Sequence, residues 1–214
     1  MNSDLTELVF IIDRSGSMAG LEDDTIGGFN AMIARQKQAE GRACVSTVLF
    51  SDRSKVIHDR VDLKRVKRLT AAQYTVGGCT ALLDAVGQAI SHISGVHRRL
   101  SERERPARTL FVITTDGMEN ASRLYNLNQV RHMIERQKAC FDWEFLFLGA
   151  NIDAADAAAD IGIDRRRAAT YRSDSEGTRL NYEVLSDAIC SVRACAPIAD
   201  DWASPIEADR RRRR

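Results

Sequence analysis

The sequence predicts a doubly wound α/β domain, and three observations carry that expectation. Short, continuous apolar runs alternate along the chain with stretches of helical periodicity. Two of the runs stand close enough together to pair as a hairpin. The length of 214 residues suits one large domain better than two. Uninterrupted apolar runs mark strands covered on both faces. Strands alternating with helices then imply right-handed crossovers and a mostly parallel sheet with helices on both faces.

Leu8 to Ile12 is the first such run, followed by Ile26, Phe29 and Ile33 at helical spacing through Gln38. Val45 to Phe50 is a second strand. The turn chemistry of Ser51 to Ser54 leads into a third strand over Lys55 to Val61, hairpin-paired with the second and placed at an edge. Leu82, Val86, Ile90 and Ile93 mark a long helix ending near Arg99, and the charged stretch Arg98 to Arg108 reads as a surface connection. Leu110 to Thr114 is a fourth strand. Asn126 and Gln129 form a capping box for a helix carrying Leu127, Val130 and Ile134. Trp143 to Leu148 is a fifth strand, and Asp153 caps an alanine-rich helix. A short strand around Ala169 to Tyr171 and a last helix from about Gly177 to Ala194 complete six strands. The architecture expected is therefore Rossmann-like, six-stranded and parallel except at one edge. Residues 1–196 form the expected domain, and residues 197–214 read as a loose tail ending in arginines.

The net charge of +1 conceals an asymmetry. Residues 210–214 are five arginines; without them 26 of the 31 cations face 30 acids, which leaves the body at −4. Such a run can grip phosphates, but a solvated terminus is the plainer reading. With no extended basic face elsewhere, nucleic acid is expected only through that tail. The five cysteines (Cys44, Cys79, Cys140, Cys190 and Cys195) form no metal-binding spacing, and Cys44, Cys140 and Cys190 read as small core residues. The acidic N-terminus lacks the features of a signal peptide, and no run approaches the roughly 20 apolar residues of a membrane helix. A cytoplasmic location, without membrane contact, is expected.

In a doubly wound sheet, ligands collect beyond the carboxyl ends of the strands. Immediately after the first strand stands Asp13-Arg14-Ser15-Gly16-Ser17, a D-x-S-x-S pattern of one carboxylate and two hydroxyls. Gly77-Gly78-Cys79-Thr80 precedes the long helix, and Thr114-Thr115-Asp116-Gly117 follows the fourth strand. Each motif alone has a structural reading, with Ser15, Ser17 or Thr80 as helix caps. Together they place Asp13 and Asp116 at the ends of adjacent central strands. With Ser15, Ser17 and Thr80 they could converge on one octahedral ion, and hard oxygen donors suit magnesium or calcium rather than zinc.

These three segments resemble the metal-ion-dependent adhesion site (MIDAS) of von Willebrand factor A (vWA) domains, over about residues 5–195. All five positions of that motif are present in order. The resemblance implies magnesium, with calcium or manganese as alternatives. It implies that Ser15 and Ser17 ligate directly, that Asp13 and Asp116 act largely through water, and that Thr80 does either. It also implies a bacterial, intracellular binding module that works beside an AAA+ ATPase or within a stress or defence assembly. An ion held mainly by neutral hydroxyls keeps much of its charge and can accept a partner's Asp or Glu carboxylate.

Two alternatives remain at the level of sequence. The ion could merely stiffen the loops of a scaffold. A magnesium-dependent phosphatase of the haloacid dehalogenase type also ends its first strand in an aspartate, but needs D-x-D where this chain has Ser15. Neither an HExxH motif nor a P-loop is present, and His58, His92, His97 and His132 read as surface residues rather than bases. No enzymatic activity is expected. Among the neighbours, Glu22, Asp23 and Asp24 read as a solvated helix start and Asn120 as a turn residue. Asp84 is a candidate to buttress the second loop, and Gly149-Ala150-Asn151 should line the same edge.

Overall fold

In a computed structural model that describes residues 2–213, six strands form one sheet in the order β3-β2-β1-β4-β5-β6. The strands are β1 (Asn2–Asp13), β2 (Arg42–Phe50), β3 (Ser54–Asp62), β4 (Pro106–Thr115), β5 (Glu144–Ala150) and β6 (Ala168–Tyr171). All neighbouring pairs are parallel except β2 and β3, which form the antiparallel hairpin at one edge. The order reverses at β1. The chain first steps outward to β2 and β3, then crosses back to place β4 on the other side of β1. The crevice between connections leaving to opposite faces therefore opens beyond the carboxyl ends of β1 and β4.

Residue alternation along β1 splits the core in two. Leu8, Phe10 and Ile12 face α1 (Glu22–Gln38) and α5 (Ser175–Arg193) through Phe29, Ile33, Leu185 and Ile189. Val9 and Ile11 face the other layer of α2 (Leu82–Arg99), α3 (Leu127–Phe141) and α4 (Ala154–Asp160) through Val86, Ile90, Ile134 and Ala158. The capping box of Asn126 and Gln129 starts α3, and the Asp153 side chain caps α4 by accepting from the Asp156 amide. Such a cap stabilises a helix by about 1 kcal/mol.

Four expectations are corrected. The stretch from Pro197 is not a loose tail: α6 (Ser204–Arg212) docks against α5 and β6, with Ile198, Trp202 and Ile206 buried in the core and the Trp202 indole donating to the Arg166 carbonyl at 2.8 Å. Burial of such side chains stabilises by about 1.5–3 kcal/mol each, whereas exposed ion pairs contribute about 1 kcal/mol or less. The apolar contacts hold the helix. Strand β4 begins at Pro106, inside the expected surface connection, since proline is tolerated at a strand's first position. Cys140 is exposed and Cys190 half-buried, so of the three expected core thiols only Cys44 is buried. His58 is buried, its ring stacked on Phe29 and its Nδ1 3.0 Å from the Thr47 hydroxyl.

A candidate metal centre at the carboxyl edge

The first loop is shaped by Asp13. Its Oδ1 accepts the Ser15 amide at 2.7 Å, which turns the chain back as β1 ends. Residues Gly16–Met18 then make one 3-10 turn, anchored by the buried Met18. The Ser15 and Ser17 hydroxyls lie 3.1 Å apart, Ser15 buried and Ser17 exposed. Asp13 Oδ2 accepts the Thr115 hydroxyl at 2.7 Å and, more weakly, the Asp116 amide at 3.4 Å. One carboxylate thus fixes the ends of both central strands.

The second loop is tied to the first by two main-chain bonds, from Gly77 N to Arg14 O (2.9 Å) and from Gly16 N to Gly78 O (3.0 Å). Gly77 and Gly78 have φ of 153° and 82°, values at which a side chain is strained. A Cβ on Gly78 would also overlap the Asp52 carboxylate, whose Oδ1 accepts the Cys79 amide at 2.9 Å. Thr80 is not the cap of α2. Its main chain instead bonds Asn120 twice, giving its amide to Asn120 Oδ1 (2.9 Å) and accepting the Asn120 amide (3.0 Å).

The third loop closes the group. A Cβ added to Gly117 would lie 3.3 Å from Ser17 Oγ and 3.4 Å from Thr80 Oγ1, so both hydroxyls converge on this glycine. Asp116 is buried beside them. Its two oxygens accept from the Asn151 amide group, with Asn151 at φ 56°, and from the Ser173 hydroxyl at 2.6 Å. Burial raises the Asp116 pKa above the ordinary carboxylate value and the Asp13 charge adds to the rise, while the bonds from Ser173 and Asn151 oppose it.

All five residues expected from sequence therefore come together at one edge. Two acids and three hydroxyls form a hard oxygen set that fits a divalent cation. Among the described residues no group of three or more His, Cys, Asp or Glu side chains forms a different metal-binding cluster.

Asp84 does buttress the site, although on the third loop: its carboxylate accepts the amides of Arg123, Leu124 and Tyr125. Sequence reasoning missed Glu119, which accepts the amides of Leu83, Ala121 and Ser122 and so fastens the third loop to the start of α2. It also missed Tyr74 and Ser173. The histidines stay apart. His97 pairs with the buried Glu7, which lies six residues before Asp13 in β1, or about 20 Å along the strand.

This sheet order, with helices on both faces, is the fold of a vWA domain. Similar solved structures include proximal thread matrix protein 1 from the mussel byssus with a zinc-occupied MIDAS motif, at TM-score 0.60 and 14% identity, covering 88% of this chain and 46% of that one. A vWA protein from Catenulispora acidiphila matches at TM-score 0.60 and 13% identity, covering 88% and 43%. Manganese-loaded TRAP protein of Plasmodium vivax matches at TM-score 0.56 and 14% identity, covering 84% and 73%. The chain thus spans less than half the length of the mussel and Catenulispora proteins. No protein-family model matches the sequence, and no curated protein does. Among the described residues no helix is long and apolar enough to cross a membrane.

Proposed function

We propose that this domain is a metal-ion-dependent protein-binding module. In this reading Asp13, Ser15, Ser17, Thr80 and Asp116 hold a divalent cation, magnesium first, that takes a partner's Asp or Glu carboxylate in an open position. The observation that carries it is the convergence of the Ser17 and Thr80 hydroxyls on Gly117 beside two buried acids. Zinc and manganese in two similar structures support a divalent ion. Because three of the five donors are neutral, the cation would stay electrophilic toward an incoming anion. Exposed Met118 and Leu124, on the loop after Asp116, give the rim an apolar part for residues flanking that carboxylate.

Two features favour binding over a scaffold ion or turnover. Main-chain and side-chain bonds already lace the three loops together, so stiffening needs no ion. Among the described residues no histidine hydrogen-bonds any of the five donors; His58 and His97 pair with Thr47 and Glu7 instead. The test is capture of partners with the purified domain in magnesium, in chelator, and with Asp13→Ala. A partner retained only with magnesium and wild-type Asp13 is expected. Equal retention in all three arms refutes the adhesion reading, and turnover of p-nitrophenyl phosphate by the wild type but not Asp13→Ala would favour the phosphatase.

A further inference from the structure

The two bonds on Asp116 come from loops outside the motif, and one of those loops is held by the C-terminal helix. Asn151 follows β5 and Ser173 follows β6, so the order β4-β5-β6 brings both to the Asp116 carboxylate. The short segment Arg172 to Asp174 is itself clamped. Asp174 accepts the Gly177 amide as the cap of α5 (2.8 Å), and its other oxygen meets Arg172 Nε (3.2 Å) and Arg213 Nη1 (2.8 Å). Arg213 also pairs with Asp209 of α6, and its carbonyl accepts from the Arg172 guanidinium. Ser173 sits between the two clamped residues, facing the site.

The geometry points to Asn151 and Ser173 as the positioning residues that set the orientation of Asp116 toward its cation, with Arg213, at the C-terminal cap of α6, holding Ser173 in place. This rests on the cation reading above. A carboxylate offers about four lone-pair directions. One donor on each oxygen fixes the plane of the group and leaves a second direction on each for the cation or its water. Groups that orient a metal-binding side chain typically change affinity by about 10–100-fold. Orientation should matter more for magnesium, which demands near-octahedral geometry, than for calcium, whose coordination is pliant. The readout is therefore a selectivity, which a simple loss of stability would not move.

Titration calorimetry with magnesium chloride and calcium chloride separately, on the full chain, tests this. Ser173→Ala should lower magnesium affinity by about tenfold and calcium affinity less, so that the magnesium preference falls. Ser173→Thr, which keeps a hydroxyl, should restore it. Asn151→Gly removes the amide while tolerating the positive φ and should act like Ser173→Ala. Arg213→Ala should shift the preference the same way by a smaller factor, and Arg211→Ala, exposed and without an ion pair among the described residues, should not. If the wild type binds both ions, Asp13→Ala binds neither, and both Ser173→Ala and Asn151→Gly keep the wild-type preference, the positioning role is overturned and the cation reading stands. If the wild type binds neither ion, or Asp13→Ala binds as the wild type does, both fall.

Discussion

The phenol of Tyr74 donates to the main-chain carbonyl of Asp13 at 2.6 Å, across a buried contact between residues 61 positions apart. It is the point where the second loop grips the last residue of β1. Tyr74→Phe removes that donor and leaves a buried carbonyl unpaired, at a cost of about 1–2 kcal/mol. Urea unfolding should show a lower midpoint at an unchanged slope. Divalent-cation affinity should fall as well, because Asp13 loses one of its restraints; unchanged affinity would mean that the first loop holds itself.

Gly117→Ala separates the site from the fold. The added methyl would stand 3.3–3.4 Å from the Ser17 and Thr80 hydroxyls, a crowded distance rather than an overlap, and Gly117 is not at positive φ. Stability should change by about 0.5 kcal/mol or less, as for an ordinary surface substitution. Cation affinity should fall by about tenfold, since the methyl enters the space on which the hydroxyls converge. Calorimetry and thermal melting of one variant give both numbers. A large drop in melting temperature with full cation affinity would contradict the placement.

Arg193 ends α5 and caps α1. Its guanidinium donates to the carbonyls of Gln36 (2.6 Å), which also accepts the Ala39 amide (3.3 Å), and of Ala39 (3.2 Å), Glu40 (2.9 Å) and Gly41 (2.8 Å), just past the end of α1 where carbonyls lack intrahelical partners. Arg193→Met keeps much of the apolar stem but takes the donor from the Ala39, Glu40 and Gly41 carbonyls, and should destabilise by about 2–3 kcal/mol. The cation should still bind with wild-type affinity, because α1 ends at the opposite pole of the sheet.

Much of this was legible in the sequence where the signal is local. The six strands, the edge hairpin and the three donor loops each announce themselves by an apolar run and the polar residues that end it. The parts that escaped depend on partners distant in the chain. Ser173 has no motif; it matters because β6 lies two strands from β4. Glu119 looks like any loop acid until α2 presents its first amides. Ile198, Trp202 and Ile206 do stand at helical spacing, but Pro197 and the arginine run around them suggested a tail. His58 reads as an edge-strand surface residue, yet the β2–β3 register shifts on both sides of its pairing with Thr47, and such a bulge redirects side chains between faces.

That buried histidine gives the protein a pH dependence. Burial lowers the His58 pKa below its ordinary value of 6.5, and the nearby Lys37 charge lowers it further, against a hydrogen bond that the ring donates to the main chain of Lys67, which raises it. Above pH 6.5 the ring is neutral in both folded and unfolded chains and contributes no slope. As pH falls below 6.5 the unfolded chain takes up a proton that the folded chain refuses, so stability declines until the folded pKa is reached. The urea midpoint of the wild type should therefore fall between pH 7 and pH 5.5. His58→Gln keeps a polar group for the Thr47 hydroxyl without titrating, and its midpoint should fall less over the same interval, whatever its absolute stability. His92, His97 and His132 are present in both proteins, so their contributions cancel in the comparison. Parallel slopes would remove the acid sensitivity from His58.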